Sequence, residues 1–479
     1  MSEKRAKYIT STLPYVNADP HVGFALEIVQ SDALARYWRL MGHEVFFNTG
    51  TDEHGQKIAR KADEAGEDRQ KYVDHYANEF NKLGDALGLS YDAFIRTTDE
   101  HHQKAAQHIW KLCDENGDIY KKKYKGLYCV GCESFKTESD LVDGKCPDHG
   151  TEPEEVEEEN YFFKLSNYQK YLEEYLSKPG VIVPEFRREE ALGFVKKGLE
   201  DFSISREKER LDWGVPVPGD DSQVMYVWFD ALTNYISTLG WPEDADGDFK
   251  KFWTDGETLQ TAGKDQVRFQ SIMWQAMLKS AGVAATDRVL YHGFITSDGK
   301  KMSKSLGNVI SPYELVERYG TEGTRYILLR HVHPFDDSDF TWERMDEWYT
   351  ANLVNGIGNL TARILKMAED NLNEPIARPE VGQFDEEYLA SLDNFDMQKA
   401  CDFIWKKVGE LDERITTEEP FKIVKEDKEK GVQIIKELLF DLYIVGRMLY
   451  PIMPETNIAI KEAVLHNKKP DNLFKRLDD

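Results

Sequence analysis

The chain has 479 residues, enough for about three domains at roughly 150 residues each, which excludes a peptide-scale binding module. Hydrophobic residues make up 41% and charged residues 31%, the balance of a folded globular protein and not of a disordered one. Acids outnumber bases by 87 to 61, a formal net charge of −26, so the overall field repels polyanions and any nucleic-acid surface has to be local.

The start, Met1 to Lys7, is polar with no apolar stretch behind it, and no 18-residue apolar run follows anywhere. A cytoplasmic protein without a membrane segment is expected. Tyr8 to Leu13 predicts a strand, followed by a turn bearing Pro, Asn, Asp and Gly and by an amphipathic helix from Ala25 to Leu40. A second strand, Glu44 to Asn48, leads into Thr51-Asp52-Glu53-His54-Gly55. This is the βαβ opening of a doubly wound parallel sheet of the Rossmann type, whose ligands sit beyond the carboxyl ends of the strands.

From Tyr120 to about Gly150 the chain turns to short turns, lysines and cysteines, and an acidic run, Glu152 to Glu159, follows. An inserted domain is expected there. Strand and helix alternation returns near Gln223 to Ile236 and runs through Ile295, and after Trp348 long 3.6-period stretches such as Phe421 to Leu449 predict an all-α helical bundle. The expected division is a nucleotide-binding domain in two halves, 1–117 and 216–297, split by an insertion at 118–215. A loop and stem-contact region, 298–348, and a helical domain, 349–479, come after it.

Three motifs carry chemistry. Pro20-His21-Val22-Gly23-Phe24 lies between the first strand and its helix, where a glycine admits a nucleotide close to the backbone, a helix N-terminus favours phosphate and a histidine can donate to phosphate oxygens. By itself such a pattern is as readily an ordinary turn. About 280 residues later, Gly299-Lys300-Lys301-Met302-Ser303-Lys304-Ser305-Leu306-Gly307-Asn308 is a glycine-bounded loop whose lysines can close over a triphosphate and neutralise a leaving pyrophosphate. Third, Cys129-Val130-Gly131-Cys132 is followed after thirteen residues by Cys146-Pro147-Asp148-His149. Cys₃His at two-residue spacings is a closed, structural Zn²⁺ set, one ion per chain. Cys113 and Cys401 have no such company and are expected to be buried thiols.

The histidine turn resembles the His-x-Gly-His signature, and the lysine loop the Lys-Met-Ser-Lys-Ser signature, of class I aminoacyl-tRNA synthetases. Leu13-Pro14-Tyr15, Thr51 to Gly55, Tyr226-Val227-Trp228-Phe229-Asp230-Ala231, Gly263-Lys264-Asp265 and Asn359-Leu360-Thr361-Ala362-Arg363 narrow the resemblance to methionyl-tRNA synthetases. The resemblance implies a ligase that joins L-methionine to ATP with Mg²⁺ and passes the methionyl group to methionine tRNA, initiator and elongator. It assigns His21, Gly23, Gly263, Asp265, Lys301 and Lys304 to ATP, with His21, Lys301 and Lys304 catalytic. Asp52 would receive the α-ammonium of methionine, with Arg206 as its partner, and Leu13, Tyr15, Trp228, Ala231, Tyr235, Gln270 and Trp274 would line the pocket. Since one methylene is worth only about 1–3 kcal/mol in such a pocket, homocysteine is expected to compete and to be edited.

Asn359, Arg363 and Phe421 match anticodon-binding positions, Phe421 standing where a stacking tryptophan is usual. Pro420 to Asp479 carries eleven lysines and arginines against ten acids, the less repulsive surface for RNA. Two further departures are Phe24, in place of the second signature histidine, and Gln270, in place of a pocket histidine, with Gln266 nearby in place of an apolar residue. Without the C-terminal dimerisation extension of some relatives, a monomer is expected. Two rivals remain at this point: a sister class I enzyme, disfavoured by an insertion too short for a large editing domain, and a non-catalytic tRNA-binding relative, disfavoured by His21, Asp52, Lys301 and Lys304.

Overall fold

The computed structural model describes residues 5–131, 134–136, 138–147, 150–297, 300–301, 310–380 and 382–477. The chain divides into two compact units, one of residues 1–20, 43–82 and 91–291, the other of 21–42, 83–90 and 292–479.

The first unit is built on a six-stranded sheet. In chain order its strands are β1 (Lys7–Ser11), β2 (Val45–Thr51), β3 (Ala93–Arg96), β4 (Ile182–Val183), β5 (Glu257–Gly263) and β6 (Arg288–His292), and across the sheet they run β3-β2-β1-β5-β6-β4. β1 pairs in parallel with both β2 and β5, β2 with β3, and β6 with β4. From β1 the order grows one way through β2 and β3 and the other way through β5 and β6, so the order reverses between β1 and β5, where open sheets of this kind bind ligands. Gly50 in β2 is required by closeness: a Cβ there would lie 1.8 Å from the Ile95 carbonyl oxygen.

In the insertion, Ile119–Cys129 and Glu154–Phe163 form a long antiparallel ladder with Lys123 opposite Glu159 and Lys125 opposite Glu157. The acidic run is therefore a strand matched to the lysine-rich one, because opposite charges facing across a ladder are favourable. Behind the sheet a continuous apolar core includes Tyr8, Trp110, Phe163, Trp228, Phe229, Tyr235, Trp253 and Trp274.

In the second unit, helix α1 (Val22–Leu40) is buried on nearly every face, including Glu27, Gln30, Ser31 and Asp32. It departs from the amphipathic pattern because Glu27, Ser31 and Asp32 are held by partners of their own, as Glu27 is by His292. Helix α2 (Pro312–Arg330) opens with a capping box from Ser311 and Glu314. The bundle beyond it contains α3 (Asn359–Asn371), α4 (Met397–Glu418), α5 (Lys428–Met448) and α6 (Pro454–His466). The 3.6-period stretch from Phe421 to Leu449 forms two helices, Pro420–Glu426 and α5, broken at Asp427, whose φ of −133° and ψ of 94° end one helix and whose carboxylate caps the next. Among the described residues no helix is long and apolar enough to cross a membrane.

Candidate active site

In the first unit, the segment after β1 carries Leu13 and Tyr15 and is stitched to the end of β2 at Asp52. The Asp52 N–H donates to the Pro14 carbonyl at 2.9 Å, and the Val16 N–H donates to the Asp52 carbonyl at 3.2 Å. Asp52 is 2% exposed, and its Oδ1 accepts from the His54 N–H at 3.4 Å. One carboxylate is thus held at the carboxyl end of β2, close to the reversal of strand order.

The aromatic residues converge on the same region. The rings of Tyr15 and Trp228 meet edge to face at 6.1 Å, and Trp228 stacks on Phe269 at 4.0 Å. Tyr235 meets Trp274 edge to face at 5.8 Å. Trp228 and Ala231 belong to one short helix, Val227–Ala231, which follows a strand ending at Met225. Leu13, Trp228, Ala231, Tyr235 and Trp274 are all buried. The indole N–H groups of Trp228 and Trp274 are buried with no hydrogen-bond partner among the described residues, so this apolar wall retains donor capacity for a weak acceptor.

Gln270 is fully buried in a polarised chain of amides. Thr286 Oγ1 donates to Gln260 Oε1, Gln260 Nε2 donates to Gln270 Oε1 at 2.6 Å, and Gln270 Nε2 donates to Tyr235 Oη at 2.5 Å. The Tyr235 oxygen is therefore used as an acceptor, which turns its own hydrogen elsewhere.

Sequence reasoning missed a second network. Asp230, fully buried beside Ala231, accepts from His54 Nδ1 at 2.6 Å and His102 Nε2 at 2.8 Å, and His102 Nδ1 meets Ser237 Oγ at 2.9 Å. Burial alone would raise Asp230, but the imidazoles of His54 and then His102 outweigh it and hold the carboxyl below its usual range. Both His54 and Asp230 lie inside quoted motifs, yet nothing in their spacing, some 176 residues apart, signals that they meet.

Arg206 is buried with Nη1 donating to Ser203 Oγ at 2.9 Å and to the Ser205 carbonyl at 2.7 Å. Its guanidinium lies over the rings of Tyr128 and Tyr226 at 4.8 and 4.7 Å. Gly263 ends β5, and Asp265 is exposed in the following turn, where its Oδ2 accepts from Gln266 Nε2 at 2.9 Å.

The second unit holds the other signature. His21 caps α1, and its Nδ1 accepts from the Gly23 N–H at 3.1 Å. A Cβ on Gly23 would press to 3.0 Å against the ring, which accounts for the glycine. With Nδ1 accepting, the ring proton sits on Nε2, on an exposed side chain, as a donor. Phe24 is 8% exposed and part of the interior. The Val22 N–H donates to the Ile310 carbonyl at 3.3 Å, so the start of α1 is joined to the residue just beyond the lysine loop. Lys301 lies on a short strand, Lys300–Lys301, antiparallel to Ile295–Ser297; Lys304 falls outside the described residues.

Of the metal set, Cys129 and Cys146 are buried, and the Cys146 carbonyl accepts from the Gly150 N–H at 2.7 Å. Cys132 and His149 lie outside the described residues. Two buried cysteine side chains are soft donors of the kind that fit a thiolate-bound ion. Asn359 opens α3, with Arg363 one turn on and paired through Nη1 with Asp412, while Phe421 is 42% exposed.

Residues 7–155 and 140–365 match the family model described as tRNA synthetases class I (M). The sheet and its ligand edge are those of a class I tRNA synthetase. Methionine–tRNA ligase of Caldanaerobacter subterraneus subsp. tengcongensis is 41% identical over 95% of this chain and 73% of its own length. That of Thermotoga maritima is 39% identical over 97% and 76%. Among solved structures, Mycobacterium tuberculosis methionyl-tRNA synthetase in complex with methionyl-adenylate superposes with a TM-score of 0.88 at 37% identity, covering 95% of this chain and 93% of that one. The chain belongs to the methionine–tRNA ligase family.

Proposed function

We infer that the chain activates L-methionine with ATP and transfers the methionyl group to the terminal ribose of methionine tRNA, initiator and elongator. The observation that carries this reading is the joint between Val22 and Ile310, which brings His21 to the root of the lysine loop in a chain similar to the ligases over 95% of its length.

In the first step the methionine carboxylate attacks the α-phosphate of ATP, the bond to the bridging oxygen of pyrophosphate breaks, and no proton has to move. Negative charge builds on the departing pyrophosphate. The His21 Nε2–H, the positive end of the α1 dipole, Lys301 and Lys304 meet that charge, an electrostatic contribution made mainly in the transition state. Mg²⁺ accompanies ATP, and Gly263 and Asp265 serve its ribose. In the second step a ribose hydroxyl of the tRNA attacks the acyl carbonyl, and AMP and the hydroxyl's proton leave.

Asp52 takes the α-ammonium, assisted by Arg206. Leu13, Tyr15, Trp228, Ala231, Tyr235, Gln270 and Trp274 surround the side chain. A thioether is a weak acceptor and a polarisable partner for aromatic rings, which suits an apolar wall that keeps two indole donors in reserve. Cys129, Cys132, Cys146 and His149 hold a structural Zn²⁺ that orders the insertion, and Asn359, Arg363 and Phe421 contact the anticodon. We read the enzyme as a cytoplasmic monomer.

The test is amino-acid-dependent exchange of pyrophosphate into ATP with all twenty amino acids and homocysteine. Exchange with methionine, lost in Lys304→Ala, is the expected result; exchange driven by another amino acid, or none from folded protein, overturns the reading.

A further inference from the structure

Two fully buried charges meet in the second unit without any part in the chemistry above. Asp32, in the middle of α1, and Arg325, in α2, are each 0% exposed and lie 2.7 Å apart. Arg325 spends its other donors on backbone: Nε on the Ile452 carbonyl at 2.8 Å, Nη1 on Leu87 at 3.2 Å and Nη2 on Pro451 at 3.1 Å. Asp32 in turn accepts from Arg36 Nε at 2.7 Å and from the Ser90 N–H and hydroxyl at 2.7 and 2.6 Å. Arg36 Nη2 continues to the Gly88 carbonyl at 2.7 Å. Burial would raise the Asp32 carboxyl, but Arg325 and then Arg36 hold it below its usual range. One guanidinium thus clamps α1, the 87–90 turn, α2 and the 451–452 turn between α5 and α6.

A buried ion pair is a poor device for stability, since apolar side chains of the same volume do as well or better. What a planar fork of five donors supplies is geometry: it accepts one rotation and one axial position of its partner. Eleven residues separate Asp32 from His21, roughly 16 Å along the helix at 1.5 Å per residue. A helix of that length is stiff, so a rotation at Asp32 reappears at His21 and at the Val22–Ile310 joint.

We propose that Arg325 is a positioning residue for amino-acid activation: acting through Asp32, it sets the register of α1 against α2 and the helical bundle, and thereby aims His21 at the phosphates of ATP. The proposal rests on the reading that His21 serves ATP. The 451–452 turn lies within the bundle, so the same clamp ties His21 to the body that carries Asn359, Arg363 and Phe421.

The experiment measures KM for ATP and for methionine separately, by pyrophosphate exchange, in Arg325→Lys, Asp32→Asn and the double variant, each shown to be folded by circular dichroism. A misaimed His21 raises KM for ATP by about tenfold with KM for methionine within about twofold, since small displacements of positioned groups have large kinetic effects. The double variant should be no worse than the worse single one. Unchanged KM for ATP in both single variants, or a parallel rise for both substrates, overturns the proposal. If either single variant does not fold, Asp32→Leu with Arg325→Met replaces the pair by apolar side chains and is judged by the same two constants. His21→Ala separates the two readings: if it leaves KM for ATP unchanged, the role of His21 fails; if it raises KM for ATP while the clamp variants do not, only the clamp fails.

Discussion

The buried aromatic region of the first unit and the helices bearing Asn359, Arg363 and Phe421 in the second hold their polar groups in opposite ways. In the first, Asp230 is bonded to His54 and His102, and Gln270 to Gln260, all of them buried. In the second, Arg363 pairs with Asp412 across side chains that are 37% and 53% exposed, and Phe421 is left in solvent. A buried network has one low-energy arrangement, because any unpaired member carries the full cost of its desolvation. An exposed ion pair is screened and contributes little, so its members are ready to change partners. On the proposed function, a small substrate would meet a shape prepared in advance, and a large anion would displace Asp412 and take over Arg363.

The contrast can be broken at several points. The largest effect is expected for Trp274→Ala, which empties a fully buried site and should lower unfolding free energy by about 3–5 kcal/mol in urea titrations; a loss below about 1 kcal/mol would mean that this wall is not prepared by packing. Asp230→Asn removes the charge between two imidazoles and should cost about 3 kcal/mol, with KM for methionine rising and KM for ATP little changed in pyrophosphate exchange.

A smaller effect concerns His331, whose ring stacks on Trp348 at 4.1 Å and meets Tyr326 Oη at 3.0 Å. Burial first and Arg330 second push its pKa down to about 3. Unfolded, it binds a proton near pH 6.5, so its contribution is complete above that value and falls as the pH drops toward about 3. Between pH 6.5 and 5 the wild type should lose about 2 kcal/mol more than His331→Phe, read from urea midpoints at each pH. The smallest change is expected for Asp412→Ala, below about 1 kcal/mol in stability, with tighter binding of methionine tRNA at low salt because Arg363 is released; unaltered tRNA affinity would remove Arg363 from the RNA surface.

Much of the sheet was legible in the sequence. Alternating apolar strands and a helix between Tyr8 and Asn48 announced a parallel doubly wound fold, and β1, β2, β5 and β6 are where that pattern put strands. Local chemistry was equally legible at His21 and Gly23, where cap, glycine and helix start are neighbours in the chain. The Lys and Glu runs of the insertion were read as separate segments because composition carries no register; only pairing showed Lys125 opposite Glu157.

The sequence by itself determined the motifs, the fold class and the family, since each is written in residues close together in the chain or in a pattern of fixed period. Tertiary structure alone decided that Asp230 joins His54 to His102, that Gln270 is held by Gln260 behind Tyr235, and that Arg325 reaches Asp32. These partners have no periodicity to announce them, and all but Gln260 and Gln270 lie far apart in sequence. They meet because a polar group taken out of water must find its partner wherever folding brings one.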